Sequence, residues 1–168
     1  MTRNAQLFHI RSSESTQDAA SLLVRVKRTS GEVQIRSASL LALTWPWNKA
    51  PCQTHFELWE QTRQQADYLW QAFRQLQAIR AEMPAWQQDS IKGMRSHVQT
   101  LVMGIGIAFQ YVDEGSDALA NPAYRSLIRT VYDSAVCLSE LTSQAHEDLA
   151  HAPGVQAIAD NRVQLALA

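Results

Sequence analysis

Apolar residues recur at three- and four-residue steps over most of this chain, and alternate with polar ones over one short stretch near its start. A repeat near 3.6 predicts a helix with one buried face, and a repeat of two predicts a half-buried strand. The first helical pattern runs through Leu58, Trp59, Thr62, Ala66, Leu69, Trp70, Phe73, Leu76, Ile79 and Met83. Thr54-His55-Phe56-Glu57 fits a capping box at its start. In that motif the Thr hydroxyl accepts from an amide in the first turn and the Glu reaches back to the cap amide. Pro84 closes or kinks this helix, because proline lacks an amide hydrogen.

A second stripe, Ile91, Met94, Val98, Leu101, Ile105, Phe109 or Ala108, and Val112, predicts a helix over about 85–113. It passes through the most apolar stretch of the chain, TLVMGIGIAFQYV at 100–112, and through Gly104 and Gly106 within it. An interior helical glycine costs about 0.5–1 kcal/mol relative to alanine. A close helix crossing, with Gly104 and Ala108 on one face, is the expected compensation. Val102, Met103 and Ile107 make the other faces apolar too, which predicts that this half of the helix is buried all round. Asp113-Glu114-Gly115 ends it. Asn121-Pro122 caps a third helix, with Tyr124, Leu127, Ile128, Val131, Ala135, Leu138, Leu141 and Ala145 as its stripe.

Residues 22–37, LLVRVKRTSGEVQIRS, have a different period. Leu22, Val24 and Val26 alternate with Leu23, Arg25 and Lys27, and Val33 and Ile35 alternate with Glu32, Gln34 and Arg36. Thr29-Ser30-Gly31 stands between the two runs, so the pattern predicts a β-hairpin with one aliphatic and one basic face. The expected fold is mainly α, of α+β type. It is an antiparallel bundle of three long helices with an N-terminal β-hairpin packed on it. Residues 1–20 are expected to be a flexible lead-in, 21–152 a single helical domain, and 153–168 a tail or short helix.

Charge changes this picture more than composition does. The net charge of −1 hides a gradient. Residues 1–49 carry seven Lys and Arg against three acids, and residues 110–168 carry three against eight. The basic hairpin face, Arg25, Lys27, Arg28, Gln34 and Arg36, is therefore a candidate nucleic-acid contact. A merely solvated face is the plainer alternative. Charged residues are only 18% of the chain and there are five Trp, a balance that favours a surface covered by a partner. Trp45 and Trp47, in the Pro-rich loop TWPWN, are candidate partner anchors, unless they fold onto the core.

Little else points to chemistry. Gly104-x-Gly106 lacks the third glycine and the flanking strand of a dinucleotide loop. His146, Glu147 and His151 resemble a zinc helix motif, but the two His are five apart and diverge around the helix. Cys52 and Cys137 form no pattern of disulfides, and no nucleophile motif is visible. No cofactor is implied. The N-terminal residues lack a secretory core and the apolar runs are short, so a cytoplasmic protein with no membrane contact is expected. Twelve Arg against three Lys suits a bacterial genome rich in G and C.

Three functions are compatible with these features. The first is a non-enzymatic bacterial binding or regulatory protein, acting through contacts of a helical bundle with a protein partner or a second copy, as a homodimer. The second is a nucleic-acid-binding accessory factor using the basic hairpin. The third is an enzyme whose residues meet only in space.

Overall fold

Among the described residues the helical periodicities of the sequence become four long helices and one short one. The structure, a computed structural model, describes residues 2–45, 50–83 and 85–150, with side chains for all of these except 2–17, 86, 149 and 150. The elements are α1 (Thr2–Leu43), α2 (Cys52–Ile79), a single 3-10 turn (Arg80–Glu82), α3 (Ala85–Glu114), α4 (Ser116–Leu119) and α5 (Pro122–Ala150). No strand occurs among the described residues.

The four long helices form a ring in which α1 touches α2 and α5, and α3 touches α2 and α5. Their directions alternate. At one end Ala19 of α1 meets Leu76 of α2, Ile91 of α3 and Ala145 of α5 around a small apolar void. At the other end Leu43, His55 and Leu119 line a common cleft. The middle of α1, at Ala19, thus lies beside the end of α2, and the start of α3 beside the end of α5. This is an up-down-up-down four-helix bundle, the arrangement that short connections between successive helices produce. Its core includes Val26, Val33 and Leu40 of α1, Trp59, Leu69 and Phe73 of α2, Met94 and Leu101 of α3, and Tyr124, Ile128 and Leu138 of α5.

The expected β-hairpin at 22–37 is absent, and the expected three-helix α+β fold is replaced by an all-helical one. The buried positions of α1 include Ala19, Leu22, Val26, Thr29, Val33, Ser37 and Leu40, at steps of three and four, with Leu23 and Ser30 beside them. Three buried positions on this face, Thr29, Ser30 and Ser37, are small hydroxyl residues, which hid the stripe from a reading of apolar residues alone. Thr29 Oγ1 donates to the Arg25 carbonyl at 2.8 Å and Ser30 Oγ to the Lys27 carbonyl at 2.9 Å. Such bonds to the preceding turn let a hydroxyl be buried on a helix. Val24 and Ile35, which supplied the alternation, are 51% and 64% exposed. Helix α1 begins at Thr2 and includes the polar segment 2–20 as well. The tail 153–168 lies outside the described residues.

Two smaller expectations also change. Helix α2 starts at Cys52 with Pro51 as its cap and no side-chain capping bond, so Thr54 sits inside the first turn rather than closing a capping box. Helix α3 is not buried all round, because Val102, Met103 and Ile107 face outward. The third helix is as expected: Asn121 Oδ1 accepts from the Ala123 amide at 2.9 Å at the start of α5. So is the turn at Gly115, whose φ of 93° is open to glycine and strained for other residues. Gly104 also fits its predicted role, since a Cβ there would lie 2.7 Å from Val131 Cγ2 of α5. That crossing needs a residue without a side chain.

Candidate functional site

The basic residues expected on a hairpin face lie on a helix, α1. Successive residues turn about 100° on a helix, so Arg25 and Gln34 stand on opposite sides. Arg25 Nη1 donates to Gln75 Oε1 of α2 at 3.4 Å, and Gln34 Nε2 donates to the Tyr132 hydroxyl of α5 at 3.4 Å. Arg25, Lys27 and Arg28 are exposed, while Arg36 is half-buried and ion-paired with Glu32 one turn before it. Arg25, Arg28 and Arg36 nonetheless fall within about 80° of one another around α1, while Lys27 and Gln34 lie on the other side, so only part of the expected basic face is kept together.

Trp45 follows the end of α1, and the Arg125 guanidinium of α5 lies 4.2 Å above its ring. Trp47 lies outside the described residues, as does His151. His146 and Glu147 are exposed on α5. Among the described residues no three His, Cys, Asp or Glu side chains converge where a metal could sit.

A buried polar trio links α2 to α5. Trp59 Nε1 donates to the Tyr124 hydroxyl at 2.8 Å, and the same hydroxyl lies 2.9 Å from His55 Nδ1. An indole N–H can only donate. The Tyr124 oxygen therefore accepts from Trp59, which leaves its own hydrogen available to His55 Nδ1. That arrangement suits the neutral imidazole with its proton on Nε2. Burial acts in the same direction, holding the His55 pKa below its ordinary value. Burial also pushes Tyr124 up to about 12, against the opposing effect of the Trp59 hydrogen bond.

His55 also lines the cleft at this end of the bundle, a space of about 620 Å³ with Cys52, Ser116, Leu119 and Trp45 in its wall. The Cys52 Sγ lies 3.6 Å from Ser116 Oγ. The hydrogen bonds of thiol and imidazole thus run to Ser116 and Tyr124, not to each other. The arrangement ties helix ends together. One local sign of this trio is present in the sequence: His55 and Trp59 are four apart, on the same face of α2. Their partner Tyr124 stands 65 residues beyond Trp59, and that spacing carries no local signal.

The most unusual surface is the outer face of α3. Val102 and Ile107 are each 41% exposed and Met103 is 67% exposed. Gly106 lies among them, and a Cβ there would meet nothing within 4 Å. Along α3 there is no charged residue from Ser96 to Val112. At one edge of this face Phe56 of α2, itself 39% exposed, meets Phe109 edge-on with centroids 5.9 Å apart. No helix among the described residues is long and apolar enough to cross a membrane.

No family of proteins, no curated protein and no solved structure matches this chain.

Proposed function

We propose that this protein is a non-enzymatic binding module that acts through protein–protein contact, with the outer face of α3 as its contact surface. The observation that carries the proposal is the exposure of Val102, Met103 and Ile107 on a helix face without charge between Ser96 and Val112. Scattered exposed apolar residues are ordinary, whereas contiguous ones on an uncharged face mark contact sites. The low charged fraction of 18% supports the same reading. Flexible Met side chains such as Met103 adapt to a partner surface.

A photo-crosslinking residue placed at position 103, in cells that produce the protein, tests this. A second protein carries it at Gln61, an exposed position on α2. Defined protein adducts from position 103 and few from position 61 are the expected result. Equal yields from the two positions, or none from either, would remove the basis for the proposal.

A further inference from the structure

We infer that the partner of the α3 face is a second copy of this chain, docked across a two-fold axis with the two α3 helices crossing at Gly106. The inference rests on the proposed contact role of that face and names what fills it.

The first support is charge. A two-fold axis sets a residue lying close to it against itself or its near neighbours on the other copy. Any charged side chain near the axis then meets a like charge, which costs free energy once water is excluded. On the outer faces of α2 and α5 charged residues recur at least every seven positions, among them Glu57, Arg63, Asp67 and Arg74 on α2 and Arg125, Arg129, Asp133 and Glu140 on α5. Helix α3 alone presents about four turns without one. That face can be laid against its own copy with no repulsion to relieve.

The second support is Gly106. Gly104 is explained inside the molecule, since Val131 of α5 occupies the space where its side chain would be. Gly106 has no such neighbour and faces outward, yet it weakens the helix that contains it. A missing side chain at the centre of an apolar face lets a second helix approach closely. Around it Gln99, Met103 and Gln110 continue at three- and four-residue steps, with Val102 and Ile107 at the flanks. This is the spacing of a seam between two helices. The central glycine allows contact, Met103, Val102 and Ile107 supply apolar surface, and the two Gln pair by hydrogen bonds at the ends. A face of four turns is small, so the dimer is weak, with a Kd on the order of micromolar.

The test is the mass of the purified full chain by light scattering over a range of concentrations, for the wild type and two variants. The wild type should pass from the chain's own 18.9 kDa to twice that value as concentration rises. Met103→Glu should stay at the lower mass over the same range, with an unchanged circular dichroism spectrum. Gly106→Leu should separate two effects: it raises the melting temperature of the dilute protein, because leucine is the better helix former, and weakens the dimer about tenfold or more. A wild type that remains at 18.9 kDa throughout overturns the inference, even if position 103 still crosslinks to another protein; the contact role would then stand with a different partner. A dimer that both variants leave intact overturns it too, and places the contact elsewhere on the chain, the tail after Ala150 included.

Discussion

His55 lies on the first turns of α2 and is tied to Tyr124, whose hydroxyl also takes the Trp59 indole hydrogen. An imidazole held neutral in this way has a definite effect on stability. Its pKa is lowered in the folded chain, so between the folded and unfolded values the unfolded chain binds more protons. Stability then rises with pH through that window, and the contribution is fully present above the unfolded value of about 6.5. As pH falls below 6.5 it is progressively lost. Urea unfolding of the wild type and of His55→Asn, compared between pH 5 and 8, isolates the effect from that of the other histidines. The difference between the two proteins should shrink as pH falls below 6.5. A difference independent of pH would mean that the imidazole is not held neutral by its surroundings. Tyr124 has the opposite dependence, since its hydroxyl pKa is raised to about 12; stability should fall again as pH climbs past 10.

At the scale of an element, α1 shows what a sequence pattern conceals. The helical stripes of α2, α3 and α5 are written in Leu, Ile, Val, Phe and Trp, and their periods could be read directly. In α1 the stripe is interrupted by the buried hydroxyl residues Thr29, Ser30 and Ser37, and the hydroxyls of Thr29 and Ser30 find their carbonyl acceptors only once a helix exists. Val24 and Ile35, exposed in the fold, completed a false alternation. Gly31 reinforced the error by standing where a turn glycine would. The candidate site was less legible still. Residues 96–112 could be seen as charge-free, but which side of α3 faces outward depends on where α2 and α5 pack. The Gly31 position also gives a test of the element. It lies inside α1 without positive φ, and a Cβ there meets nothing. Gly31→Ala should therefore stabilise the protein by about 0.5–1 kcal/mol, measured by chemical unfolding. In a hairpin turn the same change would destabilise it.

Over the whole molecule, the four long helices complete a core without using the outer face of α3. Leu101, Ile105 and Ala108 on its inner side are buried, while Val102, Met103 and Ile107 are left in solvent. The exposed parts of those three side chains add nothing to the buried core. That apolar, uncharged surface is the basis of the proposed contact. The most direct measurement is the melting temperature of the double variant Met103→Glu with Ile107→Glu, taken in dilute solution where association does not add to stability. If the face is surplus to folding, the variant should melt within a few degrees of the wild type, as exposed substitutions do. A collapse of the melting curve, of the size that charged groups buried in a core produce, would show that this face is part of the protein's own interior and is not offered to a partner.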